Sequence, residues 1–192
     1  MSEAKTALRA EAAARRARAQ AANPLAGQTL AALFPAALLA PGAVVSGYSP
    51  FRTEVDPRPL MRRVAALGAR LALPVTPPRG SSDGLSFRAW SPHEALAPGH
   101  FSVHEPPDTA PEVEPDLVLV PLLAFDRSGH RLGYGAGHFD RTLARLRAFK
   151  PVTAVGLAYA VQEVPALPFG PHDEKLDGIL TERGYMDLRK ES

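Results

Sequence analysis

The chain of 192 residues contains no cysteine. That absence removes disulfides, thiolate nucleophiles and cysteine-bound zinc from consideration, and it agrees with folding in a reducing compartment. Neither sign of charge dominates: 22 Lys and Arg stand against 20 Asp and Glu, a formal net charge of +2 at pH 7. Such a balance gives no electrostatic footprint for nucleic acid, although a pI of about 9.1 leaves room for small anionic ligands. No apolar run approaches the roughly 18 residues needed to span a bilayer, and the N-terminus lacks an apolar signal segment. The expectation is a cytoplasmic protein without nucleic-acid or membrane partners. Aromatics are few, and Trp90 is the single tryptophan.

Proline and glycine are abundant, 20 and 15 residues respectively. Because strong apolar runs separate them, they mark ordered turns rather than disorder. The length and the 45% hydrophobic content suffice for one sizeable core, so one domain over residues 1–192 is expected. Residues 4–22 are rich in good helix formers and predict a long N-terminal helix closed by Asn23-Pro24. Lys5 and Arg9 are four apart and share a face, which lets both reach one polyanion. Read from the residues alone, a solvated basic face balanced by Glu3 and Glu11 explains them better, and Arg15, Arg16 and Arg18 fit that reading best.

The most informative stretch is 116–141, D-L-V-L-V-P-L-L-A-F-D-R-S-G-H-R-L-G-Y-G-A-G-H-F-D-R. Leu117 to Val120 is an unbroken aliphatic run, as in a parallel strand covered on both faces, and Pro121 ends it. After a turn at Asp126 to Gly129, the alternate glycines Gly133, Gly135 and Gly137 lead directly into a helical segment, His138 to Phe149. Strand, glycine loop and helix start are the parts of an anion cradle: backbone N–H groups approach an oxyanion unhindered and the helix N-terminus adds donors. Arg131 brings a fixed positive charge beside them, and Asp140 a carboxylate able to hold a metal. The spacing matches neither the dinucleotide fingerprint nor the P-loop. On the glycines alone, a tight strand-to-helix turn needing positive φ competes on even terms with phosphate binding.

Elsewhere the pattern reads as alternating helices and strands. Gln28 to Leu39 predicts a second helix with Leu30, Leu33 and Phe34 inward, and Ala43 to Ser49 a strand. At the strand's C-terminal end, where open α/β sheets place ligands, Glu54 and Asp56 are candidates for recognising substrate NH groups. Asp56 precedes Pro57 and is assigned to capping the helix of Pro57 to Leu67; Glu54 stays open. Strands are expected at Arg70 to Val75, Leu85 to Trp90 and Val152 to Ala160, with Gly178 to Thr181 as the final one. Trp90 offers a stacking plate for a flat heterocycle, though one buried tryptophan is more often core. His93, His100 and His104 lack metal-ligand spacing. Asp173 lies in a loop that could return beside the cradle and pair with Asp140 as two oxygen ligands for Mg²⁺, but any two aspartates can be paired on paper.

The segment L-V-L-V-P-L-L-A-F-D-R-S-G-H-R-L-G-Y-G-A-G-H-F-D-R resembles the signature of the 5-formyltetrahydrofolate cyclo-ligase family. Similarity continues at Lys5 and Arg9, at Tyr48 to Asp56, at F-R-A-W, at Phe101 to Pro106, at V-G-L-A followed by Gln162, and at His172 to Glu182. The resemblance implies a three-layer, Rossmann-like, mostly parallel α/β sheet on the broad plan of sugar-phosphate isomerases and CoA transferases, with an added N-terminal helix. It implies ATP- and Mg²⁺-dependent cyclisation of 5-formyltetrahydrofolate to 5,10-methenyltetrahydrofolate, with ADP and phosphate released. Carried over by position, Arg131 and Asp140 would be catalytic. Lys5, Arg9, Arg131, Leu132, Gly133, Tyr134, Gly135, Ala136, Gly137, His138 and Phe139 would hold ATP, and Asp140 and Asp173 the Mg²⁺. Glu54, Trp90 and the run Tyr134 to His138 would face the folate. The family usually shows glycine or lysine at the position of Ala136 and two tyrosines at His138-Phe139. A monomer is expected, with a dimer left open. The alternative is a non-catalytic folate- or nucleotide-binding regulatory module on the same fold; an isomerase or transferase relative would have no use for the two Mg²⁺ carboxylates.

Overall fold

Alternation within the apolar strands decides the architecture. Leu117 and Leu119 point to one side and Val118 and Val120 to the other, and all four are buried, so the sheet needs cover on both faces. A computed structural model describes residues 3–78, 80–99 and 103–189, apart from the side chains of residues 3–5. The helices are α1 (Glu3–Ala22), α2 (Ala26–Leu33), α3 (Arg58–Ala66) and α4 (His138–Phe149). The strands are β1 (Val44–Ser46), β2 (Arg70–Val75), β3 (Ser86–Ala89), β4 (Ala97–Pro98), β5 (His104–Glu105), β6 (Leu117–Pro121), β7 (Ala124–Phe125), β8 (Arg131–Leu132), β9 (Thr153–Leu157), β10 (Gly178–Thr181) and β11 (Gly184–Asp187).

Seven strands form one sheet in the order β11-β10-β9-β6-β1-β2-β3, while β4-β5 and β7-β8 are separate short hairpins. The five inner strands are parallel and the two edges, β3 and β11, antiparallel. One core packs α2 and α3 through Leu30, Leu60, Met61 and Val64 against Val45, Leu117, Leu119 and Val155. The other packs α4 through Leu143 and Leu146 against Val118, Val120 and Ala154. Burying each of those two leucines contributes about 1.5–3 kcal/mol, enough to fix the helix that follows the glycine loop. This is the expected three-layer α/β arrangement.

The departures from expectation have local causes. Helix α2 stops at Leu33 instead of Leu39, because Pro35 holds Phe34 extended at φ −64°, ψ 125° and cannot donate to the helix ladder. Leu33 therefore turns outward, 42% exposed, while Leu30 and Phe34 point inward as expected. The strand Gly178–Thr181 is not the last: Gly184, at φ 134°, lets the chain turn back after Glu182-Arg183 and add β11. Helix α3 begins at Arg58 with Pro57 as its N-cap, one residue later than expected, and Asp56 accepts the Arg58 N–H at 3.0 Å from just ahead of it. Residues 100–102, which include His100 and part of the expected Phe101 to Pro107 loop, lie outside the described residues.

Candidate active site

The C-terminal ends of β1, β2 and β6 open into a cleft of about 470 Å³, the end of an α/β sheet at which ligands bind. The loop after β1 forms one wall through Tyr48, Phe51, Arg52 and Glu54; the run Arg131 to Asp140 forms the other, with Arg9 from α1 and Asp173 at its margin. A second depression of about 570 Å³ lies at Arg147–Thr153 and Arg189, at the opposite end of β9. There Arg147 is already paired with Glu174 and Asp177, so it lacks the cleft's converging donors.

The glycine loop takes its shape from two positive φ angles, 99° at Gly135 and 70° at Gly137. Gly137 is the N-cap of α4, and a Cβ there would stand 2.7 Å from Arg141 Nη1. The first turn of α4 thus begins at the cleft, where its N–H groups have no acceptor within the helix. Among the three alternate glycines, Gly135 and Gly137 meet a conformational need, while a Cβ on Gly133 would meet nothing within 4 Å. Arg141 Nη2 donates to the Ala136 carbonyl at 2.9 Å, closing the loop from the helix side.

Arg131 and Asp140 flank this loop as a pair. Arg131 Nη2 donates to Asp140 Oδ1 at 2.6 Å, and Arg131 Nη1 donates to the Glu174 carbonyl. The Glu174 N–H in turn donates to Asp140 Oδ1 at 3.0 Å. These three bonds draw the loop carrying Asp173 back beside the cradle. Burial pushes the Arg131 pKa down, and Asp140 beside it opposes the shift. Asp173 Oδ2 accepts the Gly170 N–H at 2.8 Å, and its side chain lines the cleft.

Glu54 lies on the opposite wall, nearly enclosed, with Oε2 accepting the Phe51 N–H at 2.8 Å. Burial raises its pKa to about 7, against the Phe51 hydrogen bond and the charge of Arg16. Arg16, expected on a solvated face, is 1% exposed and sits behind this wall. That expectation fails because Ala12, on the same stripe of α1, packs against Leu123, Ala124 and Leu132 and turns Arg16 inward. Lys5, Arg9, Ala12 and Arg16 share one face at helical spacing, but that spacing alone does not say whether the face is buried.

Arg9 Nε donates to the Gly133 carbonyl at 3.0 Å, which ties the early part of α1 to the glycine loop. The side chain of Lys5 lies outside the described residues. Leu132, Gly133, Tyr134, Gly135, Ala136, Gly137, His138 and Phe139 all line the cleft. Tyr134 meets Phe51 edge to face at a centroid distance of 5.7 Å, narrowing the opening between the walls. The His138 pKa is lowered, first by burial and then by the charge of Arg141, which favours the neutral ring. Trp90 does not line the cleft: it packs at the margin of the α2–α3 core, and its Nε1 donates to the Glu94 carbonyl at 3.3 Å. Gln162, which no spacing argument singled out for a structural role, is buried and donates to the Leu122 and Leu123 carbonyls at 2.9 and 3.0 Å, fixing the chain as it leaves β6.

Comparison with known proteins decides what this geometry belongs to. The 5-formyltetrahydrofolate cyclo-ligase family matches residues 1–182. The chain belongs to that family. It is 35% identical over 141 residues to the 5-formyltetrahydrofolate cyclo-ligase of Escherichia coli (strain K12), covering 71% of this chain and 76% of the relative. With that of Mycolicibacterium smegmatis it shares 36% identity over 156 residues, 77% of this chain and 78% of the relative. The solution structure of Aquifex aeolicus 5,10-methenyltetrahydrofolate synthetase superposes with a TM-score of 0.76 at 29% identity, covering 98% of this chain and 94% of that one. The Mycoplasma pneumoniae synthetase, 23% identical with a TM-score of 0.69 over 93% and 98% of the two chains, shares the fold. Of the three positions expected to depart from the usual family residues, Ala136, His138 and Phe139, two have defined surroundings outside the cleft. The Ala136 carbonyl is held by Arg141, and Phe139 packs partly into the α4 core.

Proposed function

We propose that the cleft binds ATP along the glycine loop and 5-formyltetrahydrofolate against Glu54, and that it closes the formyl group onto the neighbouring amine. The products are 5,10-methenyltetrahydrofolate, ADP and phosphate. A formamide oxygen is a poor leaving group. Transfer of the terminal phosphoryl group to that oxygen makes it a good one; the amine nitrogen then attacks the formyl carbon, its proton passes to solvent and phosphate departs. Such a sequence depends mainly on positioning and charge neutralisation.

The observation that carries the reading is the placement of a phosphate-type cradle and a buried carboxylate across one cleft. Arg131, held in place by Asp140 and the Glu174 carbonyl, presents a fixed cation to the transferring phosphoryl group. Backbone donors of the loop and of the first turn of α4 orient the phosphates, and Arg9 adds a cation from α1; Lys5 is assigned to the same nucleotide side by the family resemblance. In its ionised form Glu54 accepts hydrogen bonds from the pterin ring, with Tyr134 beside it.

The donor set fits Mg²⁺. Asp140 and Asp173 both line the cleft, and Mg²⁺ uses one or two carboxylates together with phosphate oxygens. Bound there, the ion would offset phosphate charge. No helix among the described residues is long and apolar enough to cross a membrane; the proposal assigns the reaction to the cytoplasm and needs one chain only. A folate-binding module without turnover is not favoured, since it would have no use for Arg131 and Asp140 beside the loop. The test is phosphate release from Mg-ATP: it should require 5-formyltetrahydrofolate in stoichiometric turnover, and release unaffected by the folate would reject the reading.

A further inference from the structure

Arg16 is the one charged side chain among the described residues to rank with the largest fully buried ones. Burying a guanidinium is unfavourable unless its donors are met, and a methionine at this point of an alanine-rich helix would fill the space without that demand. The donors instead reach three separate segments: the loop after β1, the chain leaving β6 and the glycine loop. Nε donates to Thr53 Oγ1 at 3.2 Å, Nη1 donates to the Leu122 carbonyl at 3.1 Å, and Nη2 is hydrogen-bonded to the Tyr134 hydroxyl. Nη1 also stands 3.7 Å from Glu54 Oε1, and the guanidinium carbon lies 5.5 Å from the centre of the Tyr134 ring.

Glu54 and Tyr134 both sit on loops, one containing Arg52 at φ 56° and the other Gly135 at φ 99°. Neither wall is set by strand pairing to the other. Besides the ring contact between Phe51 and Tyr134, the planar fork of Arg16 joins them, and its geometry is one a point charge does not reproduce.

We infer that Arg16 is a positioning residue: from helix α1 it fixes Glu54 and Tyr134 relative to each other, and so determines folate affinity. The inference rests on the cyclo-ligase reading of the cleft. It makes α1 a two-sided element, reaching the nucleotide with Arg9 and the folate wall with Arg16.

The test compares Arg16→Met, Arg16→Lys, Tyr134→Phe and the pair Arg16→Lys with Tyr134→Phe, using as a control Arg15→Gln, which removes an arginine paired with Glu11 on the surface. Steady-state kinetics with each substrate varied are combined with direct titration of 5-formyltetrahydrofolate into the full chain. Arg16→Met is expected to raise the folate KM and Kd by about tenfold or more while the ATP KM stays within about twofold, the pattern of lost substrate positioning. Arg16→Lys recovers only part of that loss. The double variant is no worse than the poorer single, because both changes break one shared tie. Wild-type folate affinity in Arg16→Met, or an equal rise in both KM values, overturns the inference. Should Arg16→Met fail to fold, Tyr134→Phe decides: Tyr134 is 42% exposed and its ring is retained, so a wild-type folate KM there overturns the inference equally. A wild-type protein that binds folate but makes no methenyl product would instead contradict the reaction on which the inference rests.

Discussion

Arg131 and Asp140 meet at 2.6 Å on opposite flanks of the glycine loop, the arginine 6% and the aspartate 27% exposed at the side chain. The pair serves both fold and chemistry, because the partner that holds Arg131 in place is also a candidate metal ligand. Asp140→Ala should leave the far-ultraviolet dichroism unchanged and lower stability by about 1–3 kcal/mol, since Arg131 keeps the Glu174 carbonyl. Turnover should fall by at least about 100-fold. Wild-type rates in that variant would remove Asp140 from the site.

Glu54 predicts an unusual pH dependence of stability. Its pKa rises from 4.5 to about 7 on folding, so between those values the folded chain holds the proton more tightly than the unfolded one. Stability from this group is therefore greatest below pH 4.5 and is lost as pH rises through 7, a change of up to about 3 kcal/mol. Glu54→Gln should remove that fall, so the variant gains on the wild type between pH 5 and pH 8 in urea unfolding. Parallel pH profiles for the two proteins would contradict the assignment.

Gly137 carries the turn that launches α4. Gly137→Ala places an alanine at φ 70°, which should cost about 1–2 kcal/mol from the backbone alone. The added Cβ also presses on Arg141, 2.7 Å away, and so disturbs the grip on the Ala136 carbonyl. Denaturant midpoints check the first effect. A rise in the ATP KM larger than that in the folate KM checks the second, and an unchanged midpoint would show that the turn tolerates a side chain.

Arg9 ties α1 to the loop through the Gly133 carbonyl. Arg9→Ala should raise the ATP KM about tenfold, the size of one lost charge-assisted hydrogen bond, and alter the folate KM by less than about threefold. Lys5→Ala should act in the same direction. Equal effects on both substrates would place these residues outside the nucleotide side.

Much of this site was legible because its parts are contiguous. Leu117 to Val120, the alternate glycines and the start of α4 at His138 follow one another in the chain, and each uses a residue type whose reason is local: aliphatic runs for a doubly covered strand, positive φ for Gly135 and Gly137. Arg16 was not legible in the same way. In a helix whose apolar stripe is alanine, a charge that turns inward looks like one that turns outward until Leu122 and Tyr134 are placed opposite it. Leu33 and β11 were missed for smaller reasons, a proline two residues on and a glycine that permits a tight return. Trp90 shows the converse, since an aromatic capable of stacking is held at the core margin by its neighbours. The loop bearing Asp173 meets Asp140 and Arg131 through the backbone of Glu174, a contact that no spacing encodes.

The most direct measurement follows near-ultraviolet absorbance of the methenyl product in a mixture of the protein, Mg-ATP and 5-formyltetrahydrofolate. The account predicts absorbance that grows with time, requires ATP, stops when the metal is chelated and disappears in Asp140→Ala. Absorbance that grows equally without ATP, or a folded wild-type protein that yields none with every component present, would contradict it.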